Sequence, residues 1–400
     1  MTGGRVQRWV VVVIVHAVLV QLVTYAFRPA LSYALIEVRS PAALLGLMSA
    51  TFALPALLLA LPSGRLVQRF GERRTGLLGG ILFAAASLTA VVGRHSVVLL
   101  FLATLLLGCG HLFSMISEQT VVANRAQVRS RDSAFGLYTL GASLGQAAGP
   151  LLLALPGNGS GGPPVDVILW VCVGLSVALT GVSATLPRST PDGSPQLGML
   201  RSALAILREP GAIRALAASG IALASVDVTL IYWPALGEQT GLSPAVVSLM
   251  LVVRSLSTMA SRAVLGRAVR LVGRRVLMVC TLTISALAVA LIALPLAPSV
   301  LVVLAGVFGF FVGICQPITM SWIVELAPPG GRGMTMSLRL AGNRVAQSAI
   351  PGAVGAIAGV TGVAGVLFAV AGSLGLAAWA ASAVGDKNAD GAATMDAEAE

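Results

Sequence analysis

Residues 64–74 read Gly64-Arg65-Leu66-Val67-Gln68-Arg69-Phe70-Gly71-Glu72-Arg73-Arg74. This basic, glycine-bounded stretch lies between two long apolar runs, 42–64 and 75–93. A short Arg-rich loop between segments long enough to cross a bilayer marks a cytoplasmic face, where Lys and Arg accumulate. Later in the chain, Gly266 through Gly273-Arg274-Arg275 is a weaker second copy.

The composition agrees. Of 400 residues, 56% are hydrophobic and 10% charged, with mean hydropathy +0.92. A soluble domain carries about a quarter of its residues as charged types. So few charges cannot cover a water-facing surface of this size, which excludes a soluble enzyme, a nucleic-acid-binding domain and a disordered scaffold. The net charge of +11 comes from 25 Arg and Lys387 against 15 acids. In a soluble protein that balance would suggest nucleic acid; here the arginines sit mainly between apolar runs and encode orientation. Cys109, Cys172, Cys280 and Cys315 lie inside apolar runs without metal-ligand spacing and read as reduced, buried thiols.

Crossing a hydrocarbon core about 30 Å thick takes roughly 20 apolar helical residues. Such runs fall at 9–36, 42–64, 75–93, 97–122, 134–155, 165–186, 212–236, 244–265, 274–295, 299–326, 334–355 and 358–384. The first run is too long for a signal peptide and lacks a convincing small-residue cleavage site, so it reads as a spanning helix. The expected fold is an all-α integral membrane protein with twelve transmembrane helices. With cytoplasmic termini, nineteen basic residues fall on inner segments and two, Arg39 and Arg94, on outer ones. Five, Arg28, Arg254, Arg262, Arg339 and Arg344, fall within spans. That bias sets the orientation.

The longest polar interruption, 187–211, divides a first bundle, 1–186, from a second, 212–385. Within it Leu197, Leu200, Leu204 and Leu207 form one stripe of a helix lying at the cytoplasmic interface. Residues 386–400 read as a disordered acidic tail. The halves repeat each other. Arg131, Gly141, Gln146 and Pro150 recur 201 residues later as Arg332, Gly342, Gln347 and Pro351. Pro29-Ala30-Leu31 recurs as Pro234-Ala235-Leu236, and Ser40-Pro41-Ala42 as Ser243-Pro244-Ala245. One offset near 200 at separate places implies two six-helix, pseudo-symmetric bundles related by an axis along the membrane normal.

The 64–74 loop resembles the signature G-x-x-x-D-R/K-x-G-x-R/K-R/K of the major facilitator superfamily, on Gly64, Arg69, Gly71, Arg73 and Arg74. The resemblance extends over the whole chain: twelve spans, two halves, a central loop and two signature loops. The family's Asp is Gln68 here and Arg270 in the second copy. In the family that Asp helps latch the halves on the cytoplasmic side; Gln68 can hydrogen-bond but carries no charge. The loop then acts as latch and topology signal, or as topology signal alone. Gly141, Gly145, Gly149 and Pro150 resemble the fifth-helix glycine-proline signature of drug and proton antiporters, with Leu151, Leu152 and Leu153 where the family has small residues. Glycines four apart also serve plain tight packing.

Charges inside the membrane are costly, so each is a functional candidate. Asp227 stands alone in the seventh span. It carries protons or binds substrate, or else forms a static salt bridge with Arg28 in the outer half of the first span; the family's first and seventh helices line the central cavity. Arg254 and Arg344 lie near the midplane and either bind an anionic substrate or hold Asp227. Asn343, Arg344 and Gln347 make a polar stripe. His111 is a packing residue or a proton carrier. Glu118 and Glu325 end their helices on the cytoplasmic side, where pairing with loop arginines is expected in the closed-inside state. Tyr25, Tyr232, Trp233 and Gln316 are candidate cavity walls, with core packing as the alternative.

The function these features point to is secondary transport of a small molecule by alternating access, with proton-coupled efflux of a drug or metabolite as the first reading. The alternative is proton-coupled uptake or exchange of a small anionic metabolite. No G-x-x-x-x-G-K-[ST] stretch offers a nucleotide site, and His16, His95 and His111 show no zinc-protease spacing. No enzyme activity, metal, cofactor or nucleic acid is expected. The partners are the substrate, protons and the lipid bilayer, and the chain is expected to act as a monomer. Its Arg-, Ala- and Gly-rich composition suggests a bacterial inner membrane.

Overall fold

The computed structural model describes residues 8–126, 131–156, 162–187, 207–208, 211–325 and 332–382. Among them the chain forms eleven α-helices and no strand. They are α1 (Arg8–Glu37), α2 (Ala43–Phe70), α3 (Glu72–Val92), α4 (Val97–Arg125), α5 (Arg131–Ala148) and α6 (Val165–Ser183). After the central segment come α7 (Ala212–Thr240), α8 (Pro244–Val272), α9 (Arg274–Ile292), α10 (Pro298–Glu325) and α11 (Arg332–Ser382). Nine of the described helices are long and apolar enough to cross a bilayer, and Ala43–Leu59 of α2 is a shorter apolar helix. The chain is an all-α, multi-span membrane bundle.

Local chemistry sets the boundaries. Ser96 and Ser243 cap α4 and α8 by accepting the backbone N–H of Leu99 and Val246, and Pro244 occupies the first turn of α8, where no N–H is needed. The expected loop at 65–74 is shorter than its charges suggested. Helix α2 continues to Phe70 and α3 starts at Glu72, so the turn is Gly71 alone, at φ 81°. Gly273 makes the same turn between α8 and α9 at φ 75°. A positive φ lets one glycine reverse the chain where other residues would be strained. The two matching loops of the sequence therefore make one and the same backbone turn.

Two expected spans, 334–355 and 358–384, run together as α11, because no polar segment separates them. Gly362, at φ 68° and ψ −171°, breaks α11 into arms 332–361 and 363–382. Helix α5 gives way at Gly149–Ala154 to a 3₁₀ turn containing Pro150, which lacks the N–H an α-helix requires. The central amphipathic stripe lies outside the described residues except 207–208, as does the acidic tail.

Helix α1 packs on α4, α5 and α6, and α3 on α4 and α6. Helix α7 packs on α10 and α11, and α9 on both of those. The two groups meet where α2 lies along α11, α1 touches α7, and α5 with its 3₁₀ turn reaches α8. Val360, Leu376 and Trp379 are exposed on the outside of the bundle, as lipid-facing side chains should be. At the end of the bundle opposite the start of α1, here the distal end, Arg94 ties three segments together. It donates to Glu37 Oε2 at 2.6 Å and also bonds Asp166. Partial burial lowers the Arg94 pKa, but the two carboxylates outweigh it and leave the guanidinium above its ordinary value.

Candidate functional site

Asp227 lies 15 residues after Ala212 in α7, and Arg28 lies 20 after Arg8 in α1. Both are near mid-bundle and almost fully buried. They form an ion pair that joins the two groups of helices. The partnership expected for Arg28 is present. Asp227 Oδ2 also accepts Gln347 Nε2 of α11 at 2.6 Å, and Gln347 Oε1 accepts Arg344 Nη1 at 3.0 Å. Arg28 Nη2 donates to Ser49 Oγ of α2 at 3.1 Å, and its guanidinium lies 4.3 Å from the centre of the Phe52 ring. Its Nε has no hydrogen-bond partner among the described residues.

Arg254 completes the cluster from α8. It is 2% exposed, lies 5.7 Å from the Tyr25 ring centre, and donates to Val226 O and Thr229 Oγ1, each at 3.2 Å. Three guanidiniums therefore surround one carboxylate. Arg28 is matched by Asp227, whereas the hydrogen bonds described for Arg254 and Arg344 end on neutral oxygens. At mid-membrane depth such an excess of positive charge is costly unless an anion or water shares the space.

The repeat reappears here. Gln146 of α5 donates to Gln21 of α1 at 3.5 Å, as Gln347 donates to Asp227 of α7. Gln146 and Gln347 are repeat counterparts, and each reaches the first helix of its own half. His111 packs its ring 5.3 Å from Phe52, and Gln21 donates to its Nε2 at 3.4 Å.

Other expected residues lie apart from the cluster. Tyr232 is buried and donates to Ala42 O at 3.2 Å; Trp233 is buried edge-on against Phe308. Both belong to the buried core. Gln316 braces the second group of helices: it donates to Ser219 O at 2.9 Å and accepts Arg339 Nη2 at 2.6 Å. Asn343 is buried and its Oδ1 has no partner among the described residues. Gly141, Gly145 and Gly149 face α1; a Cβ on Gly145 would stand 2.3 Å from Val18 O, and one on Gly149 2.7 Å from Leu22 O. The surroundings of Gly64 and the side chains of Gln68 and Glu325 lie outside the described residues. Arg69 stacks 5.4 Å from the Phe70 ring centre, and Arg74 is exposed at the α2–α3 turn near Arg73.

Glu118 is fully buried and pairs with His16, because the α4 register turns it inward toward α1. Local pattern gives no sign of His16: its partner is 102 residues away. Among the described residues no group of three His, Cys, Asp or Glu is arranged to hold a metal.

The halves close at the distal end. A Cβ on Gly46 of α2 would lie 2.3 Å from Pro351 O, 2.5 Å from Gly355 Cα and 2.8 Å from Tyr232 Oη. Ser248 of α8 donates to Pro150 O at 2.6 Å. Toward the other end, Arg262 donates to Ser143 Oγ at 3.2 Å.

The sequence pattern of one family, the Major Facilitator Superfamily, matches residues 13–230 and 215–393. The chain belongs to the Major Facilitator Superfamily. As a member of that superfamily it is a secondary transporter and not an enzyme. The fold is similar to that of the nucleoside transporter NupG, at 15% identity and TM-score 0.76, over 94% of this chain and 99% of that one. It is similar to the peptide transporter-family protein PepTSo at 14% identity and TM-score 0.76, over 95% and 98%. The human organic anion transporter MFSD10 (TETRAN) gives 17% identity and TM-score 0.65, over 94% and 99%. No curated protein sequence matches significantly. These neighbours are nucleoside, peptide and anion transporters, so the expected kinship with drug exporters is not what the comparisons bring out.

Proposed function

We propose that the chain is a proton-coupled importer or exchanger of a small anionic metabolite. The observation that carries this reading is the charge balance of the cluster: Asp227 alone among Arg28, Arg254 and Arg344. A proton arriving on Asp227 releases Arg28 from its ion pair. All three guanidiniums then face an anion, so proton and anion bind together and cross with little net charge. The Gly145 and Gly149 contacts with α1 account for the fifth-helix glycines by packing alone, and leave them no weight as a sign of export. The names of the fold neighbours support a metabolite rather than a drug.

Alternating access is read as rocking between two six-helix bundles, 1–186 and 212–385, about this cluster. The span count supports twelve. The apolar part of α11, Ala341–Ser382, is 42 residues long, about 63 Å at 1.5 Å per residue, twice the hydrocarbon thickness. Bent at Gly362, it crosses twice, and α2 and α5 with its 3₁₀ turn supply the remaining two. Both termini then lie on the cytoplasmic side of a bacterial inner membrane, and the distal closure is the outer gate.

Binding tests the reading without a known substrate. Purified protein would be screened by thermal shift against mono- and dicarboxylates, phosphorylated metabolites, nucleosides, peptides and cationic drugs. The expected result is stabilisation by anions at mildly acidic pH, lost in Arg254→Gln and Arg344→Gln. Stabilisation by cationic drugs, unaffected by those substitutions, would contradict it.

A further inference from the structure

A second buried polar site lies apart from the central cluster. His16 is 8 residues after Arg8 in α1, Glu118 is 7 before Arg125 in α4, and Ser183 ends α6, so all three are near the end of the bundle where α1 starts. All three are 0% exposed. His16 Nδ1 stands 2.6 Å from Glu118 Oε1, and Nε2 stands 2.8 Å from Ser183 Oγ.

The same contacts satisfy two proton counts. Ser183 Oγ lies 2.8 Å from both Leu179 O and His16 Nε2, so its one hydroxyl hydrogen can serve either. With that hydrogen on Leu179 O, Nε2 carries a hydrogen and a further proton is shared between Nδ1 and Glu118, neutral overall. With the hydroxyl turned to Nε2, the ring is neutral with its hydrogen on Nδ1, donating to a Glu118 carboxylate at 2.6 Å, and one net negative charge remains inside the bundle. The pair can therefore take up or give off one proton while keeping both contacts of the imidazole.

The surroundings show what would meet the deprotonated form. From α5, Tyr138 lies against Glu118. From α3 comes Glu72, whose carboxylate accepts Asn124 Nδ2 at 2.8 Å and whose carbonyl accepts Ser117 Oγ at 2.5 Å. From α2, the one charged side chain described is Arg69, exposed at the helix end. From α11, Arg344 lies within electrostatic reach of both Tyr138 and Asp227. Glu118 is buried, with the Tyr138 hydroxyl beside it as a side-chain hydrogen-bond partner, and the cation from the other half is a guanidinium whose described bond is to a neutral amide.

We propose that His16 and Glu118 form a second proton-binding site of the transporter, with Arg344 as the cation that turns to Glu118 once the proton has left. The step is balanced: one proton passes to water, the Ser183 hydroxyl turns to Nε2, and the neutral ring keeps its hydrogen on Nδ1, donating to the Glu118 carboxylate. The charge then draws α4 and α11 together at the end where α1 starts. Proton release here and closure of that end become one event. The inference goes beyond the substrate reading and does not need it.

The test uses the full-length protein in liposomes, with no substrate and the proton as probe. Infrared difference spectra would be recorded between about pH 5 and about pH 9, a range that brackets histidine and perturbed carboxyl titration. The expected result is a carboxyl band lost in Glu118→Gln, shifted in His16→Gln and retained in Asp227→Asn. The chain has three histidines, so ¹⁵N-histidine NMR provides a second readout should Glu118→Gln fail to fold. The resonances absent from His16→Gln are expected to move with pH, and to move differently in Ser183→Ala. A wild-type spectrum with no Glu118 band, or His16 resonances that stay fixed over the range, would mean a static structural pair and overturn the proposal. Loss of the Asp227 band alone would bear on the substrate cluster and leave this site standing.

Discussion

Gly46 is where the closed distal end has least room. A Cβ there would meet Pro351 O at 2.3 Å and Gly355 Cα at 2.5 Å, both backbone atoms that cannot rotate away. Restoring ordinary contact, from 2.3 Å to 3.4 Å, requires α2 and α11 to separate by about 1 Å. Overpacking of this kind costs about 1–3 kcal/mol. Only the conformation closed at the distal end bears that cost, since α2 and α11 part when it opens. Gly46→Ala should therefore shift the equilibrium toward the distally open state by about 5- to 150-fold. Ala50 is a suitable reporter, because a Cβ on Gly352 would approach Ala50 Cβ at 3.8 Å across the same seam. In a cysteine-free background, Ala50→Cys should react with a membrane-impermeant maleimide faster by that factor when Gly46→Ala is added. Gly174→Ala, where a Cβ meets nothing within 4 Å, is the control. Unchanged labelling in a folded Gly46→Ala protein would refute the gate geometry.

Two further outcomes follow from the same contacts. Gly145→Ala should destabilise the protein by about 1–3 kcal/mol through its clash with Val18 O, read as a lowered thermal midpoint, while Gly136→Ala should not. Arg28→Gln or Asp227→Asn alone should cost about 3–5 kcal/mol of stability by leaving a buried charge unpaired, and the double variant should recover much of it. Strict additivity in a double-mutant cycle would mean that the two groups do not interact.

Much of the architecture was legible because it rests on period and composition. Apolar runs gave the helices, and Gly71 and Gly273, spaced like their loops, turned out to make the same backbone turn. The ion pair between Arg28 and Asp227 was also within reach, since two charges in an apolar chain have few partners to choose from. What stayed hidden depends on register between distant segments. His16 and Glu118 meet only because α1 and α4 cross with those faces inward, and no local pattern records the crossing. Tyr232 and Trp233 show the reverse case: aromatic residues near a charge are equally at home in a core, and burial placed them there. The boundary inside α11 was misplaced for a related reason. Its break is one glycine at positive φ in a Gly- and Ala-rich stretch, where nothing polar marks the turn.

On the proposed reading, Asp227 exchanges its proton as an anion binds among Arg28, Arg254 and Arg344. The most direct measurement is proton movement in proteoliposomes with a pH-sensitive dye inside, using an anion selected by thermal shift. Substrate-driven entry of protons along with the anion, abolished in Asp227→Asn while anion binding persists, is the predicted result. Proton movement opposite to the substrate, or full coupling in Asp227→Asn, would contradict it.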